Sequence, residues 1–316
     1  MLLGQELSRP RPGPPFEWVD GAWRLEFPRP DADRMEYLLG LDGDFRPDPA
    51  NPLRAPGPFG DKSVIEWPEY RAPDWLGSIA DAGPVEELEV RCRRLVARVR
   101  VLVYSTPEPP GNDAPLVIAH DGPEYAEYAG LTRFLDAMSW EERIPPLRAA
   151  LIQPVDRNET YSASALYAGA LVRELLPAIA KRAPHGVRVG MGASLGGLAM
   201  LHAHVRHPKT FDGLLLQSSS FFRQRSDKQE SGFERYRRIT RFVGTVLNGT
   251  GLERPIPIGI TVGSAEENRA NNEAVAEALT AQGYPTWLAH IRDGHTWTCW
   301  RDAFDPHLPA LLEAVT

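Results

Sequence analysis

The sequence predicts an α/β fold, a mostly parallel central sheet with helices on both faces, preceded by a short β-rich N-terminal region. Three observations predict it. From Glu86 onward, short apolar runs such as "PLVIAH" and "GLLLQS" trade places with stretches of helical periodicity, the rhythm of buried strands joined by crossover helices. Residues 1–85 show period-two alternation and clustered prolines instead, with no convincing helix. The 316 residues are 42% hydrophobic and 24% charged, enough apolar material for one large core and too much for a disordered chain.

In the N-terminal region, "FEWVDGAWRLEF" (16–27) reads as a hairpin with Asp20-Gly21 at its turn. "RMEYLLGLDGDF" and "KSVIEW" read as further strands. The proline clusters "RPRPGPP", "RPDPANP" and "RAPGPFG" separate them, and the region breaks near "PDWLGSIADAGP". Next, "ELEVRCRRLVARVRVLVY" alternates as antiparallel strands do. "APLVIAHDG", "RAALIQPV", "GVRVGMGAS", "GLLLQS", "IPIGITVG" and "TWLAHIRD" are the remaining strands. Helical spacing marks residues 162–182, 195–206, 233–247, 269–282 and 300–315. The expected division is a β-rich region over 1–85 and an α/β catalytic domain over 86–316.

The net charge of −7 argues against non-specific nucleic-acid binding, which needs basic clusters. No apolar run has the length of a membrane span, and the first residues lack the apolar core of a secretory leader. Cys92 and Cys299 form no metal or disulfide pattern. A reducing cytoplasm is the expected location. No metal or organic cofactor is expected: His202, His204 and His207 lack the i, i+4 spacing of a zinc helix. "GMGASLGG" lacks the lysine of a phosphate-binding loop.

That same stretch carries the chemistry. Gly192-Ala193-Ser194-Leu195-Gly196 fits G-x-S-x-G, between the strand "VRVGM" and the helix "LGGLAMLHAHV". A serine on such a sharp strand-to-helix turn exposes its hydroxyl, and Leu195 offers a helix N-terminal N–H to a developing oxyanion. The other reading of Ser194 is a helix cap on a tight turn. A nucleophilic serine needs a base, and in this topology the acid and then the histidine follow the serine. His290 falls inside a strand and His307 on the terminal helix, whereas His295 sits in "RDGHTW", just past a strand end. Glu266 and Glu267 both follow the strand "IPIGITV"; Asp293 is too close in sequence to His295 to orient it well. The second oxyanion donor should come from "HDGPEY". Pro123 has no N–H, which leaves Gly122 or Glu124.

Together these blocks resemble the enterochelin (ferric enterobactin) esterase branch of the putative-esterase family of α/β hydrolases. The resemblance runs from the strands near Glu89 to the C-terminus. "HDGPEYAEYAGL", "VDRNETYSASALYAGALVRELLP", "GMGASLGGLAMLHAHVRHPKTFDGLLLQSSSF", "VGSAEENRANNEAVAEAL" and "DGHTWTCWR" carry it. It implies an α/β-hydrolase fold, a Ser194–His295–Glu266 triad with Glu266 three residues after a glycine, and no cofactor. Pro123 departs from the family pattern, which has a residue with an N–H directly after the Asp-Gly. Members with an N-terminal sandwich-like domain exist, and residues 1–85 look like a reduced one.

The implied partner is a small-molecule ester such as an anionic ferric siderophore, with no nucleic acid and no membrane. Residues 221–242 hold seven basic and three acidic residues, a local charge of +4, and follow a strand's carboxyl end. A basic rim carrying Arg223, with Arg157 beside it and Trp297 and Trp300 as aromatic walls, would suit such a substrate. A helix laced with solvated charges is the plainer reading of that segment. The competing functions are a general carboxylesterase or sugar-ester deacetylase, an acyltransferase of the same family, and a non-catalytic binding protein.

Overall fold

The computed structural model describes residues 1–5, 7, 13, 15–249 and 253–316. Most of the proline cluster at 9–15 lies outside the described residues. The first part of the chain is built from β1 (Leu2–Gln5), β2 (Glu17–Val19), β3 (Ala22–Arg24), β4 (Arg34–Leu41), β5 (Asp44–Arg46), β6 (Arg54–Ala55) and β7 (Lys62–Glu66). Strands β2 and β3 form the hairpin that the sequence implies. Asp20 and Gly21 both take positive φ, 51° and 81°, the combination a two-residue hairpin turn requires. Among the described residues, the others make a five-stranded antiparallel sheet in the order β1-β4-β7-β6, with β5 also on β4. A short 3-10 turn at Asp74–Gly77 sinks Trp75 beneath the second sheet.

The second sheet contains β8 (Val85–Cys92), β9 (Ala97–Ser105), β10 (Leu116–His120), β11 (Arg148–Ile152), β12 (Arg188–Ala193), β13 (Gly213–Gln217), β14 (Ile258–Gly263) and β15 (Thr286–Ile291). Among the described residues it has eight strands in the order β15-β14-β13-β12-β10-β11-β9-β8. The pairs from β11 to β15 are parallel, and β9 runs antiparallel to both neighbours. This is the α/β-hydrolase architecture. Burial follows pattern: β10 and β13 are buried at every residue, as central strands covered on both faces must be. Along β8, at the edge, exposed residues alternate with Val90 and Cys92. Alternate residues feed two cores, Leu116 and Ile118 one face, Val117 and Ala119 the other.

The helices are α1 (Gly122–Tyr128), α2 (Leu131–Trp140), α3 (Arg157–Tyr161), α4 (Ala165–Ala170), α5 (Leu176–Arg182), α6 (Leu195–Arg206), α7 (Tyr236–Leu247), α8 (Arg269–Ala281), α9 (Trp297–Asp302) and α10 (Phe304–Val315). Helices α1 to α3 have no counterpart among the helices read from sequence. The "DGP" of the first masks a helix start, because proline is tolerated in a first turn, where its missing N–H costs nothing. The single helix read over 162–182 is α4 and α5 joined by a π-turn, and the one over 300–315 breaks at Ala303–Asp305 between α9 and α10. Among the described residues no helix is long and apolar enough to cross a membrane.

The two sheets are joined by a buried ionic contact. Arg34, on β4, lies between Glu36 at 3.1 Å and Asp293 at 3.0 Å, with all three side chains buried. Burial disfavours the Arg34 cation, but the two carboxylates more than offset it and hold its pKa above the ordinary value. Arg292 extends the contact to Asp33 at 2.9 Å, and its carbonyl accepts from the Asp33 N–H at 2.7 Å. Removing one partner of such a cluster strands a buried charge, which costs about 3–5 kcal/mol. Arg34→Met is therefore expected to lower the urea midpoint markedly. The double variant Arg34→Met/Asp293→Asn, which leaves less unpaired charge, should recover part of that loss.

Candidate active site

The carboxyl ends of β10, β12, β13, β14 and β15 converge, as ligand sites do in open α/β sheets. At the end of β12, Ser194 takes φ 54°, ψ −122°, a region that L-residues avoid and that costs on the order of 1–3 kcal/mol. Its neighbours hold it there. The Ser194 N–H donates to the Gln217 carbonyl at 2.9 Å, and its own carbonyl accepts from Ser220 N–H at 3.0 Å. The turn closes only over glycine. A Cβ on Gly192 would sit 2.6–2.8 Å from the backbone of Gly196 and Gly197, and one on Gly197 would lie 2.8 Å from the Gly192 carbonyl. Leu195 opens α6, where a first-turn N–H has no intrahelical partner.

After β15 the chain turns through Asp293-Gly294 to His295, whose Nδ1 is 3.0 Å from Glu266 Oε1. Glu266 is buried, and its Oε2 accepts from Gly263 N–H at 3.2 Å. A carboxylate at Nδ1 places the proton on that nitrogen and leaves Nε2 as the basic one. Of the two glutamates open from sequence, Glu267 faces solvent. His290 pairs with Glu273 at 2.9 Å. His307 accepts from Trp287 Nε1 at 3.3 Å, half-buried rather than exposed. Asp293 points away to Arg34. Ser194 and His295 border one cavity of about 310 Å³, with Trp297, Trp300, Asp121, Glu124 and Arg157.

The comparisons with known proteins give the chain a family. A family model described as putative esterase matches residues 93–311, more than half of the chain. The chain belongs to the putative esterase family. It is 26% identical over 291 residues to the iron(III) enterobactin esterase of Escherichia coli (strain K12), covering 87% of this chain and 70% of that protein. It is 31% identical over 242 residues to the enzyme of the same name from Dickeya dadantii (strain 3937), 70% of this chain and about half (53%) of that one. The crystal structure of the enterobactin esterase from Shigella flexneri in the presence of enterobactin superposes with TM-score 0.79 at 20% identity, over 100% of this chain and 88% of that one, a likeness of fold. This member of the family is a carboxylic-ester hydrolase.

The remaining residues singled out from sequence divide. Arg157 borders the cavity but spends its guanidinium on Asp121, with Nε and Nη2 both at 2.9 Å from the carboxylate. Trp297 and Trp300 stand at the wall, edge-to-face at 4.8 Å, and Trp300 also meets the His295 ring edge-on at 5.1 Å. Glu124 borders the cavity, whereas Gly122 is packed on the Leu151 backbone, leaving no room for a Cβ. Burial, then Asp121, raises the Glu124 pKa. Arg223 is not at the cavity: its Nε donates to Asn271 Oδ1 at 2.6 Å and its N–H to Asp227 at 2.6 Å. The basic rim expected over 221–242 does not line the cavity either. Arg235 and Arg238 both close on Glu159, so the local charge of +4 is partly neutralised from another helix. His202 packs edge-on to Phe242, and His204 bonds the Arg254 carbonyl at 3.0 Å.

Three features were not read from sequence. The N-terminal segment 55–60, with Glu36 and Lys62, forms part of the cavity wall; only tertiary docking brings it there. Ser220 stands 3.0 Å from the Ser194 hydroxyl. Its turn is held by Asn272, whose Oδ1 accepts from Ser219 N–H at 3.0 Å and whose Nδ2 donates to the Ser219 carbonyl at 3.0 Å. His120, fully buried at the end of β10, bonds the Gly196 carbonyl through Nδ1 at 3.0 Å and Tyr167 Oη through Nε2 at 2.8 Å. A carbonyl can only accept, so Nδ1 carries the proton and Tyr167 donates to Nε2.

Burial lowers the His120 pKa from 6.5 to about 3. Because the folded value is depressed, this histidine's contribution to stability is complete above 6.5 and is lost as the pH falls toward 3. Within that window, His120→Asn should flatten the dependence of unfolding free energy on pH by about one proton, roughly 1.4 kcal/mol per pH unit relative to the parent. Urea titrations at several pH values measure the difference, in which the other titrating groups cancel.

Proposed function

We propose that this chain is a serine esterase that cleaves the ester bonds of an enterobactin-like siderophore. The observation that carries the chemistry is the strained Ser194 elbow opening on the same cavity as a His295 held by the buried Glu266. Ser194 Oγ attacks the ester carbonyl carbon while His295 Nε2 takes its proton. Glu266 accepts the Nδ1–H and stabilises the imidazolium. The Leu195 N–H faces the developing oxyanion, with a second N–H from the first turn of α1, where Gly122 and Glu124 flank Pro123. On collapse, the imidazolium protonates the leaving alcohol. Water, deprotonated by His295, then hydrolyses the acyl-serine and restores the free hydroxyl.

The likeness to proteins named iron(III) enterobactin esterases supports the substrate. A siderophore of this kind, a tris-catecholate trilactone, offers serine esters whose α-amino groups carry the catechol rings as amides. The Ser194→Ala protein is expected to lose about 10⁶-fold in kcat, both on nitrophenyl acetate and on an iron-loaded tris-catecholate trilactone followed by product chromatography. Glu266→Gln should retain substrate binding and lose mainly kcat, because it alters the histidine rather than the cavity. Full activity in the Ser194→Ala protein overturns the assignment. Hydrolysis of simple esters without hydrolysis of the trilactone keeps the chemistry and points to a general carboxylesterase.

A further inference from the structure

We propose that segment 55–60 of the N-terminal region is a specificity arm, in which Phe59 completes an aromatic box with Trp297 and Trp300 for the aromatic ring borne on the acyl side of the ester. The inference rests on the reading of Ser194 as the nucleophile, and assigns the arm's part in choosing the substrate. Phe59 is 99% exposed, yet it borders the cavity that holds Ser194 and His295. An aromatic ring held at a cavity mouth offers rigid apolar area that a ligand entering the cavity can cover.

The arm is built to hold its shape. Pro56 and Pro58 restrict the backbone before Phe59. A turn closes behind it, the Gly60 N–H donating to the Gly57 carbonyl at 3.0 Å, with Gly60 at φ 97°, where a side chain would be strained. The base is pinned by β6–β7 pairing and by Asn51, whose Nδ2 donates to the Val64 carbonyl at 2.7 Å. The facing wall is equally fixed, since Trp297 packs on Tyr125 as well as on Trp300.

The charges around the cavity pair among themselves and favour a ring over a polyanion as the recognised feature. Lys62 lies 3.5 Å from Glu36, and Arg157 lies 2.9 Å from Asp121. The ligand class is therefore an aromatic group of the benzoyl type.

The test separates recognition from catalysis. The Ser194→Ala protein is titrated calorimetrically with N-(2,3-dihydroxybenzoyl)serine and with N-acetylserine, with and without Phe59→Ala or Phe59→Trp. The benzoylated compound should bind at least about tenfold more tightly than the acetylated one. Phe59→Ala should cut that preference about tenfold, and Phe59→Trp should preserve it. On the protein with Ser194 intact, Phe59→Ala should lower the ratio of kcat/KM for the nitrophenyl ester of N-benzoylserine over that of N-acetylserine by a similar factor. No preference for the benzoylated compound, a preference untouched by Phe59→Ala, or an equal loss for both compounds overturns the arm. If Ser194 is not the nucleophile, hydrolysis survives Ser194→Ala while the binding preference can still be read.

Discussion

A backbone-to-backbone contact beneath Ser194 is the constraint on which the site depends. Strand β12 and helix α6 approach so closely that Gly192 and Gly197 leave no space for a Cβ. That contact forces the intervening serine to φ 54°, and the surrounding polar groups are spent on keeping it there. His120 donates to the Gly196 carbonyl, Gln217 accepts from Ser194 N–H, and Ser220 donates from the next strand's turn. Gln217 is itself fixed by Tyr125 at 2.8 Å and by the Trp300 carbonyl at 2.9 Å. The elbow is thus tied to the ends of β10 and β13 and to α9. Strain at one residue is held by hydrogen bonds from several elements, which is how a costly conformation persists.

The second organising contact joins the N-terminal sheet to the turn that carries His295. Burying Arg34, Glu36 and Asp293 together is expensive unless each charge is matched, so the cluster admits little variation in how the two sheets meet. Burial pushes Asp293 up to about 6 even against the pull of Arg34, a measure of how dry the contact is. Asp293 lies two residues before His295, and Glu36 reaches Lys62 just beyond the arm. One ionic cluster therefore sets both the entry to the histidine turn and the position of segment 55–60 over the cavity.

Charge counted along the chain misjudged the surroundings of the cavity. The basic segment 221–242 follows β13, as its place in sequence implies, but Arg235 and Arg238 turn to Glu159 on α3, and Arg223 turns to Asn271 on α8. Those partners lie many residues away in the chain, so a local sum of charge could not include them. The cavity wall owes its character to aromatic rings and to ion pairs closed on themselves, not to a basic rim.

The legibility of the sequence follows from the range of the forces involved. The strands, most helices and the elbow were readable, because apolar periodicity and glycine spacing are local records of burial and backbone approach. Helix α1 was hidden by Pro123, whose preference for a first helical turn resembles a turn signal. His295 could be chosen over His290 and His307 by its place after a strand, and a resemblance pointed to Glu266 over Glu267. By itself the sequence determined a mostly parallel sheet and a serine on a strand-to-helix turn. Only the tertiary structure decided that Glu266 is the buried neighbour of His295, that Arg223 is spent elsewhere, and that Phe59 stands at the cavity. Each of these depends on which distant segments fold against one another, and no local pattern of residues records that.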